Sequence, residues 1–248
     1  DKKHITLVLF VYGLHPLECL KEVRGIQDKT FEYWNKNIIN NNDVDVFMHS
    51  FSVDKKKDLL RYKPKKYIIE KQKKFDIINS LDLSSKNQKN QFYDNMNWFE
   101  IMFSVAYGMK TSVNLMTEYE QEHNFTYDIV ILSRLDVIWL QPIVFQELNK
   151  DLFYSSIWGK DNYYSKEYPN ELLGYWFISN SKFIKQYSLL YDTLKEYIQN
   201  GIKKSYHVIS KYHIKTFTNN IEYKFNDHWN DIVHHSLQRY LYKQRIPF

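Results

Sequence analysis

Apolar residues recur along this chain in two rhythms, one suited to strands and one to helices. The runs HITLVLFVY (residues 4–12) and DVDVFMHSF (residues 43–51) are dense in β-branched and aromatic residues and predict strands. Between them Leu17, Leu20, Val23, Ile26, Phe31, Trp34 and Ile38 recur mostly three or four apart, which predicts a helix over about 17–39. Gly13 and Pro16 bracket the turn into it, Gly25 is a point of bending, and the polar run 40–43 ends it. Strand, helix and strand in about 50 residues form a right-handed crossover unit, and hence a parallel sheet.

Residues 67–70 predict a short third strand entered through Pro64, and 80–90 a polar linker. A long helix is expected over 91–123. Its apolar positions Phe92, Met96, Phe99, Phe103, Ala106, Met109, Val113 and Met116 step by threes and fours, a core stripe rather than a cofactor box. The helix leads into YDIVILSRLDVIWL, residues 127–140. Ile129, Val130, Ile131 and Leu132 form an uninterrupted apolar run, as in a strand buried on both faces. Ser133, Arg134 and Asp136 follow where that strand leaves the sheet, the edge at which open α/β sheets bind ligands. An ion pair or a capping carboxylate is the other reading of this Arg and Asp. Beyond it lie a strand over 152–158, a polar, aromatic and acidic loop over 159–171, and a strand over 174–179. A helix over 181–198 follows, capped by Asn180 or Ser181. The tail from residue 203 mixes short helical and extended signals with His207, His213, His228, His234 and His235. No internal repeat or domain boundary stands out, so residues 1–248 read as one domain.

Composition narrows this only a little. Hydrophobic residues at 44% and charged residues at 25% make a globular chain, not a disordered one. The 17% of aromatics suits a core, or stacking on sugars and bases; the Asn, Lys, Ile and Tyr content also fits an AT-rich genome. A single cysteine, Cys19, allows no internal disulfide and favours a reducing compartment such as the cytoplasm, or at least gives no sign of secretion. No apolar run is long enough for a transmembrane segment, and no signal peptide is visible, although a chain opening on Asp1 leaves trimming open. The net charge of +5 suits anionic ligands such as nucleotides without implying nucleic acid. Residues 55–74, KKKDLLRYKPKKYIIEKQKK, are the most basic stretch. They read either as a solvated surface guarding an edge strand or as an attractor of anions.

The chemistry follows partly by elimination. The chain has no GxGxxG after its first strand, no Walker motif, no GxSxG elbow, and no CxxC or HExxH zinc signature. What remains is an acid, Asp136, at a strand's carboxyl edge, with an aromatic and acidic loop downstream. This suits a nucleotide-sugar transferase. A hard divalent cation prefers carboxylate and phosphate oxygens, and a fixed guanidinium such as that of Arg134 offsets diphosphate charge in the same way.

Five segments carry a resemblance: LVLFVYG, DVDVFMHSF, YKPKKYIIE, NFTYDIVILSRLDV and GYWFISNSKFIKQYSLLY. Through them the chain resembles the small GT-A-fold glycosyltransferases of bacterial capsule and surface-polysaccharide clusters and of large DNA viruses. The resemblance implies an α/β, Rossmann-like fold: a mostly parallel central sheet flanked by helices, with a C-terminal helical or irregular segment. Residues 1–140 would form the nucleotide-sugar-binding half and 141–248 the acceptor side. It gives Asp136 the place of the last acid of the DxD motif, while Arg134 replaces the first, which leaves dependence on Mn²⁺ or Mg²⁺ open. It assigns Val11, Tyr12, Gly13, His49, Ser50 and Phe51 to the donor pocket with Ser133, Arg134 and Asp136. His228 is a second candidate metal ligand.

The chain departs from the family pattern twice. It lacks a basic residue soon after Gly13, and it carries Gly174 where relatives often have an Asp. The base that takes the acceptor proton is then sought in Glu171 or Asp161, each equally an ordinary loop acid, with Asp227 and Asp231 as further candidates. The expected activity is transfer of a sugar from a nucleoside-diphosphate sugar to a glycan hydroxyl, inverting in the leading form, with retention left open. A catalytically silent nucleotide- or glycan-binding module is the alternative. A nucleic-acid binder using residues 55–74 with Tyr62 and Tyr67 ranks third, because acids nearly balance bases over the chain.

Overall fold

The computed structural model of the chain describes residues 5–11, 26–81, 96–135, 137–156, 172, 174–202, 205–224 and 232–233. The predicted apolar runs become strands β1 (Ile5–Val11), β2 (Val44–Ser50), β3 (Lys66–Ile69) and β4 (Ile129–Arg134). Further along are β5 (Ile138–Trp139), β6 (Phe153–Ser155), β7 (Trp176–Ser179), β8 (Ile221–Tyr223) and β9 (Ile232–Val233). Seven of them form one sheet in the order β3-β2-β1-β4-β7-β6-β8, while β5 and β9 pair separately. β1 to β4 run parallel; β7 is antiparallel to both β4 and β6, and β8 is parallel to β6, so β7 alone is reversed. The chain is therefore a mixed α/β fold on a mostly parallel sheet.

Period-two alternation sorts the strand side chains onto two cores. Val46, Met48, Ile129, Ile131, Trp176 and Ile178 face one side, where they meet Trp34 and Ile38 of the first helical segment. Phe47, Val130, Leu132 and Phe177 face the other side and meet the long helix. The helices are α1 (Ile26–Trp34), α2 (Lys56–Leu59), α3 (Met96–His123), α4 (Ser181–Ser188), α5 (Leu190–Gln199) and α6 (Tyr206–Lys215). α3 crosses β1, β2 and β3 and packs on α4 and α5, burying the Phe99, Phe103, Ala106, Met109, Val113 and Met116 stripe. The aromatic excess goes into these cores: among the described residues the eleven largest fully buried side chains are all Trp, Tyr or Phe. Trp34, Trp139 and Trp176 run in contact, with centroids 5.9 and 5.2 Å apart. Each such pair contributes about 0.5–1.5 kcal/mol beyond its burial. Among the described residues no helix is long and apolar enough to cross a membrane.

Several expectations need correction. The single helix predicted over 181–198 is two, α4 and α5, meeting at Leu189. Its start is capped by Asn180, whose side chain accepts from the Phe183 amide at 2.9 Å. At the break the Ser188 hydroxyl donates to the Lys185 carbonyl at 2.7 Å, diverting that carbonyl from the helical ladder. Leu189, 49% exposed, has no core contact to hold the helix through. The tail is not only helical and irregular, because it adds β8 to the central sheet beside β6. The run at 40–43 does more than end a helix. α1 passes into a π-helical turn at Asn35–Ile39, closed by Asn40 N–H donating to Asn35 O at 2.9 Å. Buried Asn37 and Asn42 then stitch this turn to the segment after β5. Asn37 Nδ2 donates to Trp139 O at 2.6 Å, and Asn42 Nδ2 to Ile143 O at 2.8 Å. Asn42 Oδ1 accepts from the Phe145 amide at 3.1 Å.

Candidate functional site

β1 has β2 on one side and β4 on the other, so the order of the strands reverses between β1 and β4. The connections leave on opposite faces there, the arrangement that in α/β sheets places a ligand crevice at the carboxyl ends of the strands. In register, Val11 lies opposite Ser50, Phe10 opposite both His49 and Arg134, and Leu9 opposite Ser133. The fold thus brings Val11, His49, Ser50, Phe51, Ser133 and Arg134 to one edge. Tyr12, Gly13, Asp136, Asp161, Glu171, Asp227, His228 and Asp231 lie outside the described residues.

Arg134 is the last residue of β4 and is only 7% exposed. Its guanidinium lies 4.4 Å from the centre of the Tyr175 ring, and its amide donates to Tyr175 O at 3.0 Å. The Ser133 hydroxyl donates to the Arg134 carbonyl at 3.1 Å. Tyr175 in turn meets His207 edge-on at 6.0 Å. A guanidinium is always charged, and this contact holds that of Arg134 over the Tyr175 ring at the carboxyl end of β4. Tyr175 and His207 were not singled out from the sequence as site residues. The only signals for them were the aromatic flank of the seventh strand and one member of a scattered histidine group.

Gly174 sits where the sequence resemblance leads one to expect an acid. It has φ +70, and a Cβ there would come within 3.1 Å of His207 Nδ1 and 3.2 Å of Tyr206 Cε1. An acidic side chain at this position would be strained by the backbone and crowded by both rings. The sharp turn it makes sets Tyr175 under Arg134.

His49 on β2 and Phe51 just after it point toward α3. The buried His49 imidazole lies edge-on to Phe51 and Tyr107, at 4.6 and 5.4 Å. Its Nε2 is 3.0 Å from Glu70 Oε1, which also accepts from the Tyr107 hydroxyl at 3.1 Å, while Lys73 Nζ is 3.1 Å from Glu70 Oε2. Lys73 also donates to the Tyr107 hydroxyl. Burial lowers the His49 pKa below its ordinary 6.5 despite the attraction of Glu70, so the ring is neutral at pH 7. Glu70 feels burial as an upward push, but hydrogen bonds from His49, Lys73 and Tyr107 outweigh it and hold the carboxyl below its usual range. With Nε2–H donated to Glu70, Nδ1 is an acceptor, and it has no hydrogen-bond partner among the described residues. Glu70 was read from sequence only as the end of a strand. The Ser50 hydroxyl accepts from the Ser52 amide at 2.9 Å and holds the turn after β2.

His213 serves the fold, with Nδ1 2.9 Å from the Tyr197 hydroxyl and Nε2 3.0 Å from Gln186 O. A cleft lined by Glu120, Asn124, Phe125 and Lys185 lies before the amino end of β4, the wrong end of the sheet for the crevice. There the buried Glu120 accepts from the Tyr127 amide at 2.8 Å and pairs with Lys185 at 2.5 Å. Among the described residues no group of three or more His, Cys, Asp and Glu is arranged to hold a metal ion. Asp136 and His228, the two residues expected to hold one, are outside that set. Compared with models of known protein families and with curated proteins, the chain matches none.

Proposed function

We propose that the chain is a GT-A-like glycosyltransferase that takes a nucleoside-diphosphate sugar at the β1/β4 crevice and transfers the sugar to a glycan hydroxyl. One observation carries the reading: a stacked, nearly buried arginine ends the strand beside β1 at the reversal point of a mostly parallel sheet. The strand order, with its single reversed strand, supports the finer fold assignment. In the reaction a loop carboxylate, Glu171 or Asp161, accepts the proton of the acceptor hydroxyl as its oxygen bonds to the anomeric carbon. The bond from that carbon to the diphosphate breaks, and the departing negative charge develops near Arg134. A Mn²⁺ or Mg²⁺ ion, if used, would offset the same charge with Asp136 and His228 as protein ligands.

Gly174, where the resemblance expects an acid, favours the second reading, a silent nucleotide- or glycan-binding module. The test is a thermal-shift screen of UDP- and GDP-sugars with and without Mn²⁺, followed by an assay for released nucleoside diphosphate. A donor that raises the melting temperature and is turned over supports transfer, and one that binds without turnover supports the module. Asp136→Ala should abolish turnover while preserving the fold. Full activity in that variant would sink the assignment.

A further inference from the structure

Apart from the contacts of Glu70 and Lys73 with His49 and Tyr107, the basic stretch takes no part in the proposed site. Residues 55–74 hold ten Lys and Arg against two acids, Asp58 and Glu70, a net +8 in a chain whose total is +5. The fold lays this stretch along one margin of the molecule, through α2 and then β3, the outermost strand on that side. Part of the charge is neutralised: Lys65 pairs with Asp45, Lys66 with Glu118 and Glu122, and Lys73 with Glu70. Lys56, Lys57, Lys63 and Lys71 are exposed and stand outside these pairs. Asp54 and Asp58 are further acids on the same margin, beside the paired Asp45, Glu70, Glu118 and Glu122. Large apolar side chains are exposed among the lysines: Val53 at 46%, Tyr67 at 40% and Ile68 at 37%. Lys56 Nζ lies 5.8 Å from the Tyr67 ring centre, which joins the α2 cations to the Tyr67 tip of β3, while Ile68 projects from the other face of this edge strand.

Cations mixed with apolar tips select among anionic partners. A nucleic acid would use stacking faces and arginine forks. Yet Tyr62 is buried against Phe31, and Arg61 lies over that same Phe31 ring at 4.2 Å. Val53 and Ile68 have no π-face to offer a base. An anionic lipid surface takes both kinds of group, with lysines at the headgroups and Val, Tyr and Ile at the headgroup–acyl boundary. We propose that this margin docks the chain peripherally on anionic membrane surfaces. Contact stays at headgroup depth, because the outer peptide groups of edge strand β3 must keep their water. The proposal does not depend on the glycosyltransferase reading.

The test is co-sedimentation of the full chain with vesicles of phosphatidylcholine alone and of phosphatidylcholine mixed with phosphatidylserine, at low and physiological salt. Binding is expected only to the mixed vesicles and should weaken with salt. Each lysine near such a surface contributes about 1 kcal/mol, so Lys56→Gln/Lys57→Gln/Lys63→Asn should lower the partition coefficient on the order of 100-fold. Asn is chosen at 63 because Lys63 has φ +50. Tyr67→Ser/Ile68→Ser should also weaken vesicle binding, by removing the apolar anchor. Unchanged melting temperatures verify that both variants fold, and either one alone tests the surface. Absence of binding to mixed vesicles overturns the proposal, as does wild-type binding by the lysine variant. So does tight oligothymidylate binding lost in the lysine variant, if Tyr67→Ser/Ile68→Ser leaves vesicle binding intact.

Discussion

Two glycines with the same backbone strain and different surroundings allow the packing beside Arg134 to be measured. Gly174 has φ +70 and Gly201 has φ +77, so each holds a left-handed conformation that costs an L-residue about 1–2 kcal/mol. Gly201 closes α5: Ile202 N–H donates to Tyr197 O at 3.0 Å, the six-residue bond of a Schellman ending. Nothing lies within 4 Å of a Cβ built at Gly201, whereas at Gly174 it meets His207 and Tyr206 at 3.1–3.3 Å. Gly201→Ala should therefore cost only the backbone term. Gly174→Ala should cost that term plus an overpacking term of about 1 kcal/mol or more, because neither ring can retreat far. Tyr206 is held by its hydroxyl, 3.1 Å from the buried Tyr187 hydroxyl.

Urea unfolding followed by circular dichroism reads both costs, with the slopes checked for equality before midpoints are compared. The expected losses are about 1–2 kcal/mol for Gly201→Ala and about 2–4 kcal/mol for Gly174→Ala. Gly174→Ala should also weaken donor binding, since a shift at 174 carries Tyr175 away from Arg134. A Gly174→Ala variant no less stable than Gly201→Ala would refute the crowding argument, and a neutral one would refute the backbone conformation itself.

Three further outcomes follow from the same contacts. Asn42→Ala leaves the Ile143 carbonyl and Phe145 amide without their buried partner and should destabilise by about 2–3 kcal/mol in urea, whereas Asn41→Ala, at an exposed site, should be nearly neutral. His49 and His213 both have folded pKa values pushed below 6.5 by burial, so the unfolded chain binds protons the fold refuses. Stability should be complete above about pH 6.5 and fall as pH drops below it, and His213→Gln should flatten that slope. Arg134→Lys keeps the charge but loses the guanidinium contact on Tyr175, and should weaken nucleotide-sugar binding by tenfold or more in calorimetry; equal affinity would remove Arg134 from the site.

Periodicity reported the elements whose environment is uniform along their length. β4 is buried throughout, so its apolar run was visible, and α3 keeps one face on one sheet for 28 residues, so its stripe was visible. What periodicity cannot report is direction: β7 was legible as a strand, but its reversal depends on how the chain returns to the sheet. Nor could it separate Asn37 and Asn42, which knit the fold internally, from an asparagine-rich run of surface residues. The α4/α5 break rests on one serine hydroxyl and one exposed leucine within an otherwise continuous amphipathic pattern. β8 escaped notice because a three-residue strand at a sheet margin leaves almost no alternation to read.

Arg134 concentrates what burial adds to sequence. By sequence it stood where a strand emerges from the sheet, as a guanidinium able to offset diphosphate charge or as half of an ion pair. In the fold it is still inside the strand, stacked on one ring and nearly out of water. A charge in that setting acts through a lower effective dielectric than a surface lysine, so its effect on a diphosphate is stronger at equal distance. It also needs little reorganisation when negative charge develops, since the Tyr175 ring already holds it in place. A site with such a cation depends less on a divalent ion than one presenting two acids. Donor affinity in chelator should therefore fall further on Arg134→Lys than affinity in Mn²⁺ does. If chelation alone abolishes binding to the wild-type chain, the guanidinium is not sharing the charge of the diphosphate.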